Sequence, residues 1–215
     1  MKKYYIGLIA LFIVIYILPL GVRPMIAPDE YRYAEIPREM LLSNDWVVPR
    51  LAGVRYFEKP VMGYWLNAIS IMLFGENGFA VRLPSALATG LAAFFIWWLV
   101  RAKSREDEPA LLAAALFLTF GMVFGIGTFA VLDAPTAMFI TGALVFFFLA
   151  DMEKKFNWKK VALLALFGVF CGLAFMTKGF IAFAVPAVVI APYMIWEKRW
   201  KELLILPWIP IVAAV

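Results

Sequence analysis

Acidic and basic side chains are concentrated in one polar segment, residues 23–79, which holds 7 of the 15 acidic residues of the chain. Asp29 and Arg32 lie three residues apart there, and Glu58 and Lys59 are adjacent. A positioned carboxylate can orient or deprotonate an acceptor, and cations stabilise negative charge that develops on a phosphate. The segment therefore contains the residue types that the transfer of a group from a phosphate would use.

Each of these residues also has a structural interpretation. Asp29 is a good candidate for a helix N-cap, and so is Asp133, which precedes Pro135. Lys59 and Lys178 are candidates for lysines that extend their ammonium groups to a membrane surface. Lys59 stands near a predicted helix start, where a cation opposes the helix dipole, so capping does not explain it and a phosphate site is plausible.

The remainder of the chain is strongly apolar, with 65% hydrophobic residues and a mean hydropathy of +0.87. This composition excludes a soluble globular domain and indicates a polytopic, all-α membrane protein. No histidine is present, so a histidine-based acid–base or metal site is excluded within these residues, and the single cysteine, Cys171, excludes a disulfide framework. The predicted membrane spans are 4–22, 80–100, 109–127, 134–150, 161–176, 180–196 and a truncated seventh from 203.

Basic residues predict the orientation of these spans. The amino terminus and the connectors 101–108, 151–160 and 197–201 carry 2, 3, 4 and 3 Lys or Arg residues, whereas the opposite short connectors carry only Lys178. Cytoplasmic loops are enriched in Lys and Arg, so we expect a cytoplasmic amino terminus and an external segment 23–79. This topology predicts that Asp29, Lys59, Asp133 and Lys178 lie at one depth on the external side. Transfer of a sugar from a lipid phosphate uses such a set.

Two helices are predicted inside the external segment, near 29–42 and 60–74. Tyr33, Ile36, Met40 and Leu41 form one apolar stripe, with Glu30 largely off it, which is typical of a helix lying on a membrane surface. The second helix is too short to cross a bilayer. Arg82 is interpreted as an interface anchor at the external end of the second span.

Three functional classes remain open on these residues: an enzyme, a transporter of a lipid-linked precursor and a structural membrane protein. A transporter predicts polar groups within the spans, and the spans carry no charge away from their ends. A structural protein has no reason to concentrate acids and cations in one external segment. Basic residues lie mostly in short connectors, where topology requires them, so nucleic acid is not a predicted partner.

Four motifs carry a family resemblance: DEYRYAEIPREM at 29–40, YFEKP at 56–60, VLD at 131–133 and MTKGF at 176–180. In order and spacing they resemble the aminoarabinose transferases of Gram-negative bacteria. These are GT-C-type integral-membrane glycosyltransferases, related to the protein O-mannosyltransferases. The resemblance covers essentially all 215 residues and is most specific in the first external segment. It implies a GT-C-type transmembrane helix bundle.

The resemblance implies a role for each matching residue. Asp29 and Asp133 correspond to catalytic carboxylates, and Arg32, Lys59 and Lys178 to residues that bind the donor phosphate or substrate. Glu58 corresponds to an acid that would touch a divalent metal, the one cofactor suggested.

The implied activity is transfer of 4-amino-4-deoxy-L-arabinose from undecaprenyl phosphate to lipid A at the periplasmic face of the bacterial inner membrane, a modification linked to polymyxin resistance. The residues alone leave the acceptor open among lipid A, another glycolipid and a protein hydroxyl. The expected partners are the lipid-linked donor, the acceptor and membrane lipids. Because the chain stops inside an apolar run, it is expected to be a fragment that lacks the family's later spans and carboxy-terminal domain.

Overall fold

The computed structural model describes residues 2–199, 201–202 and 208–214, and the described part is predominantly helical. Residues 203–207, where the predicted seventh span begins, lie outside it. The helices are α1 Lys2–Phe12, α2 Asp29–Ser43, α3 Met62–Phe74, α4 Gly78–Ser104, α5 Asp107–Thr119, α6 Gly121–Gly127, α7 Asp133–Met152, α8 Trp158–Lys178, α9 Ile181–Trp196 and α10 Trp208–Ala214. The predicted all-α fold class is therefore confirmed.

Four described helical segments are long and apolar enough to cross a bilayer: 2–21, 78–104, 133–152 and 158–178. The first continues from α1 through a π-helical turn, Ile13–Ile17, and a 3₁₀ turn, Leu18–Gly21. The predicted sixth span corresponds to α9, whose 16 residues rise about 24 Å, which is less than the roughly 30 Å of a bilayer core.

The predicted third span, 109–127, is not one straight helix. It breaks at Phe120, and α5 and α6 meet at an angle of 68°. Phe120 has an extended backbone and is followed by Gly121, and glycine is a weak helix former. The break leaves the carbonyl of Leu118 available at the end of α5, and the buried Tyr16 hydroxyl donates to it at 2.7 Å.

Aromatic packing between α4, α7 and α8 forms the centre of the bundle. The Phe146 ring meets the Phe95 and Phe170 rings edge to face, with centroids 5.7 and 5.0 Å away. Such pairs add to the free energy gained by burying apolar area. The bundle therefore gives a rigid support for the ends of α7 and α8, where two of the candidate site residues lie.

Both helices predicted within residues 23–79 form. Ile36 and Met40 of α2 are buried as the apolar stripe predicts, and Asn67 of α3 donates to the carbonyl of Tyr33 on α2 at 2.8 Å. The opposite side of α3 exposes Met72 and Leu73, along with Ile69 and Phe74. This exposed apolar face favours a membrane-surface position for α3, which stays a prediction.

A two-residue hairpin joins these two helices. Strands β1, Arg50–Leu51, and β2, Val54–Arg55, pair antiparallel around Ala52 and Gly53. Both turn residues have positive φ, 53° and 76°, as a type I′ turn requires, and glycine adopts that conformation without a steric penalty. The hairpin ends immediately before Tyr56 and so directs the YFEKP motif towards α2.

Candidate active site

Asp29 lies on the first turn of α2 and pairs with Arg32, as their spacing predicts. The N-cap position belongs to Pro28, and no backbone amide of the described residues donates to the Asp29 carboxylate. The N-cap interpretation of Asp29 is therefore wrong. An acid on the first turn still interacts favourably with the helix dipole. The Asp29 side chain remains about half exposed, so its carboxylate is open to a ligand.

Arg32 connects Asp29 to the YFEKP motif. One guanidinium nitrogen donates to the Tyr56 hydroxyl at 2.9 Å and to a Glu58 carboxylate oxygen at 3.4 Å. The Tyr56 hydroxyl donates to the same carboxylate, and the Lys59 ammonium lies 3.5 Å from its other oxygen. Asp29, Arg32, Tyr56, Glu58 and Lys59 thus form one chain of contacts, which we call the Asp29 group.

Hydrogen bonds within the Asp29 group shift the pKa values of its members and keep Arg32 and Glu58 ionised. The hydrogen bond to Asp29 raises the pKa of Arg32, so its guanidinium stays charged. The hydrogen bond from the Tyr56 hydroxyl lowers the pKa of Glu58, and donating that hydrogen bond raises the pKa of Tyr56. Glu58 is consequently an anion and Tyr56 a neutral hydroxyl donor near neutral pH.

Asp133 and Lys178 form a second pair, the Asp133 group. Asp133 is the first residue of α7 and Lys178 the last of α8, and the ammonium donates to the carboxylate at 2.6 Å. The position that precedes α7 as its N-cap is occupied by Leu132, and no described backbone amide donates to the Asp133 side chain. Asp133 is therefore not the N-cap of α7, and Lys178 is paired with a carboxylate.

The two groups lie at the same end of the bundle. The start of α3 packs against the residue before Asp133: a Cβ on Gly63 would stand 2.0 Å from a Leu132 methyl group. Lys59 is four residues before Gly63 in the chain. Within the described residues, no hydrogen bond or ion pair joins the Asp29 group to the Asp133 group. The structure therefore brings the two groups to one end of the bundle without direct contact between them.

A cavity of about 520 Å³ adjoins the Asp29 group. Arg32, Glu35, Arg38 and Glu76 contribute charged groups to its wall, and most of its other lining residues are apolar. Glu35 and Arg38 pair with each other at 2.9 Å, which leaves Arg32 as the wall residue shared with the Asp29 group. A polar ligand held there would meet a cation that already orients Asp29.

Glu58 does not have the surroundings of a metal ligand. Among the described residues, no three His, Cys, Asp or Glu side chains gather where they could hold a metal ion. The Glu58 carboxylate is occupied by a hydroxyl donor and two cations, whereas hard divalent cations take several oxygen ligands. We therefore derive no step through a metal.

Sequence reasoning missed a buried ion pair beside this site. Glu30 and Arg82 are both fully buried and meet through two hydrogen bonds of 2.7 and 2.8 Å. Arg82 is therefore not an interface anchor, and Glu30 is not an off-stripe surface acid. One signal was available, since positions 30, 33, 37 and 40 repeat at helical spacing and place Glu30 on the face that buries Met40.

Glu30 is an anion despite its burial. Burial alone would raise the pKa of its carboxyl group, but hydrogen bonds from Arg82, Arg23 and the amides of Ile26 and Ala130 outweigh it and lower the pKa to about 2. Arg82 also donates to the carbonyls of Leu20, Arg23 and Pro24. This network, the Glu30 cluster, satisfies both charges within the protein.

Comparison with known proteins identifies the relatives of the chain. It is 50% identical over 193 residues to an undecaprenyl phosphate-alpha-4-amino-4-deoxy-L-arabinose arabinosyl transferase of Aeromonas salmonicida, covering 90% of this chain and 35% of the relative. A relative with the same name from Yersinia pestis is 49% identical over 211 residues, covering 97% and 38%. The chain therefore spans little more than a third of the length of these curated relatives.

Comparison with solved structures also finds a protein with the same fold. The crystal structure of ArnT from Cupriavidus metallidurans bound to undecaprenyl phosphate matches with a TM-score of 0.91 and 26% sequence identity, over 99% of this chain and 39% of that protein. Its apo structure matches with a TM-score of 0.87. These findings confirm the resemblance seen in the motifs and the GT-C-type fold.

The family profile described as dolichyl-phosphate-mannose-protein mannosyltransferase matches residues 1–215. With a profile match over the whole sequence and relatives at about half identity, this chain belongs to the dolichyl-phosphate-mannose-protein mannosyltransferase family.

Proposed function

We propose that this chain forms part of a glycosyltransferase that moves 4-amino-4-deoxy-L-arabinose from undecaprenyl phosphate to lipid A at the periplasmic face of the bacterial inner membrane. The observation that carries the proposal is that two half-exposed carboxylates, Asp29 and Asp133, each paired with a cation, lie at one end of the bundle. Relatives at about 50% identity are named for undecaprenyl phosphate-aminoarabinose transfer.

The reaction requires a bond exchange at the anomeric carbon of the sugar. An acceptor oxygen forms a bond to that carbon while the bond between the carbon and the phosphate oxygen breaks. Undecaprenyl phosphate leaves with the electron pair of the broken bond. Lys59 and Arg32 lie within one contact chain and would stabilise the charge on the leaving phosphate. Lys178 would add a third cation from the neighbouring group.

Asp29 would act on the acceptor side of the reaction. Its carboxylate is oriented by Arg32 and is half exposed, so it can take a proton from a hydroxyl acceptor or stabilise positive charge at the anomeric carbon. A phosphate acceptor is already largely ionised, and in that case the electrostatic role dominates. Asp133, oriented by Lys178, would supply a second negative charge at the same face.

The identity of the acceptor is tested by finding which molecule carries the transferred sugar. The full-length protein expressed in a strain without its own aminoarabinose transferase should add one aminoarabinose mass to lipid A, as seen by mass spectrometry. The Asp29→Asn protein at equal abundance should not. Modification of another glycolipid or of a protein, with lipid A unchanged, would instead favour a mannosyltransferase-like activity, the alternative that the family description supports.

The orientation is part of the same proposal. The Lys/Arg asymmetry supports a cytoplasmic amino terminus and an external α2. A membrane-impermeant thiol reagent added to intact spheroplasts should label an Asn44→Cys protein and not a Ser104→Cys protein, since both positions are exposed but lie on opposite sides. The reverse labelling would place the Asp29 and Asp133 groups in the cytoplasm and exclude a periplasmic site.

A transporter is not favoured by the buried charges. Glu30 and Arg82 lie near the start of α4 rather than at mid-span, and the two Glu30 oxygens are occupied by protein donors. A transport site would leave such groups open to a cargo.

A further inference from the structure

Glu30 follows Asp29 directly in the chain but has entirely different surroundings. Its side chain is fully buried, and its two oxygens accept six hydrogen bonds. The donors come from three places: Arg82 on α4, Arg23 and the Ile26 amide in the segment before α2, and the Ala130 amide in the turn before α7. One carboxylate thus connects three parts of the chain that are distant in sequence.

The contacts with the turn before α7 are directional. The Ala130 amide donates to Glu30 at 3.1 Å, and Arg23 donates to the Thr128 carbonyl at 3.0 Å. The Arg23 guanidinium also lies over the Phe129 ring, 4.6 Å from its centroid. Three consecutive residues of the turn therefore contact Arg23 or Glu30, and this turn leads directly into Asp133.

We propose that Glu30, together with Arg23, is a positioning residue that sets the separation of the two candidate catalytic carboxylates, Asp29 and Asp133. Asp29 is one peptide unit from Glu30, and Asp133 is three residues beyond Ala130, so the cluster is the short path between them. The inference rests on the proposed function for the roles of Asp29 and Asp133. Glu30 touches no substrate, because protein donors occupy both of its oxygens.

The chemistry of the cluster favours positioning over simple stabilisation. A buried ion pair is often no more stabilising than an apolar contact of the same size, and specifying one register is a better-attested use of it. Apolar surfaces can slide past one another, whereas six hydrogen bonds to one carboxylate constrain both translation and rotation. Such a constraint suits a reaction in which a displacement of about 1 Å costs roughly 100-fold in rate.

The test uses Arg23→Gln in the full-length protein reconstituted in lipid. This change removes the contacts of Arg23 with Glu30 and with the Thr128 carbonyl and leaves the Glu30–Arg82 pair intact. Glu30→Gln is unsuitable as the only variant, since it leaves Arg82 buried without a counter-charge and the protein can fail to fold.

The matched control is Arg50→Gln. Arg50 belongs to the same polar segment, pairs with Asp45 at 2.7 Å and has a side-chain exposure of 30%, compared with 32% for Arg23. Among the described residues, its side chain donates hydrogen bonds only to Asp45 and Val48, neither of which belongs to the turn. Loss of a surface ion pair alone should affect both variants equally.

Two readouts are measured on each protein. The first is sugar transfer: Arg23→Gln should lower kcat about tenfold with the donor KM changed less than twofold, Arg23→Lys should recover part of the loss, and Arg50→Gln should stay within twofold of wild type. The second is the distance between spin labels at Tyr31→Cys and Phe180→Cys in a Cys171→Ala background. Both label positions are exposed, one on α2 and one beyond Lys178.

We expect one narrow distance distribution in the wild-type and Arg50→Gln proteins and a shifted or broadened one in Arg23→Gln. An unchanged distribution in Arg23→Gln would overturn the proposal, whatever happens to kcat, and so would a changed distribution with unchanged kcat. A wild-type protein that transfers no sugar would refute the proposed function instead, and the spin-label distances would still decide whether the cluster sets the separation.

Discussion

Asp29 and Glu30 are neighbours on one helix turn and show two different uses of a carboxylate. The Asp29 side chain is 49% exposed and its carboxylate contacts one cation, whereas Glu30 is fully buried and accepts six hydrogen bonds. Glu58 and Asp133 resemble Asp29 in being about half exposed. The carboxylates that could meet a substrate keep unused lone pairs, and the one that holds the fold keeps none.

This difference follows from the cost of burying charge. When an ionised carboxylate is buried, protein donors must replace nearly all of its hydrogen bonds to water. Its oxygens then have no free lone pair with which to bind a ligand. A half-exposed carboxylate keeps water that a substrate can displace. Substituting a neutral amide for the carboxylate should therefore lower the stability of the fold at Glu30 and the rate of sugar transfer at Asp29.

The largest effect is expected for Glu30→Gln on stability. Loss of the charge leaves Arg82 buried without a counter-ion, and breaking a buried pair from one side costs about 3–5 kcal/mol. The free energy of unfolding, measured by denaturant titration in mixed micelles, should fall by that amount. Glu35→Gln, which breaks the Glu35–Arg38 surface pair of the same helix, should cost less than about 1 kcal/mol. Equal losses of unfolding free energy in Glu30→Gln and Glu35→Gln would show that the buried carboxylate stabilises the fold no more than an exposed one.

Acid should reproduce much of this loss. The folded-state pKa of Glu30, about 2, lies below its ordinary value of 4.5, so the folded state binds its proton less readily than the unfolded state. Its contribution is complete above about pH 4.5 and is lost as the pH falls towards 2, a total of about 3 kcal/mol. The midpoint of thermal unfolding, followed by tryptophan fluorescence between pH 5 and pH 3, should fall more steeply in wild type than in Glu30→Gln. Parallel slopes would show that Glu30 is not the titrating group.

The next effect is on transfer by Asp29→Asn. Because no described amide is capped by Asp29, asparagine should preserve α2, and stability should change by less than about 1 kcal/mol. Transfer should fall by roughly 100-fold or more, the scale of a lost general base. Initial rates at equal protein abundance measure this, with Asp45→Asn as the control, because Asp45 also pairs with an arginine but belongs to neither candidate group. Near-wild-type transfer would remove Asp29 from the site.

A smaller effect is expected for Lys59→Ala. Loss of the cation that we propose to bind the donor phosphate should weaken donor use by about tenfold, as read from kcat/KM for the lipid-linked donor. Lys59→Arg should recover little, because a planar guanidinium does not replace a compact ammonium charge. Lys2→Ala, at the opposite end of the first span, serves as the control. Unchanged donor kinetics in Lys59→Ala would count against a phosphate-binding role.

Much of this architecture is visible in the sequence, for identifiable reasons. Long apolar runs predict membrane helices because an unpaired backbone is costly in lipid, and the stripe of Ile36 and Met40 predicts the buried face of α2. The Asp29–Arg32 contact follows from helix geometry alone. The break at Phe120 was not predicted, because apolar composition is the same on both sides of it.

Contacts between distant residues were decided only by the tertiary structure. Nothing local pairs Lys178 with Asp133, which are 45 residues apart, or Arg82 with Glu30, which are 52 apart. A charge near the end of an apolar run has the same sequence pattern whether it extends to the interface or turns inward to a partner. Residue types and helical spacing determined which groups could carry out the chemistry. Packing of α2 against α4 and the turn before α7 determined which carboxylate is enclosed and which remains open.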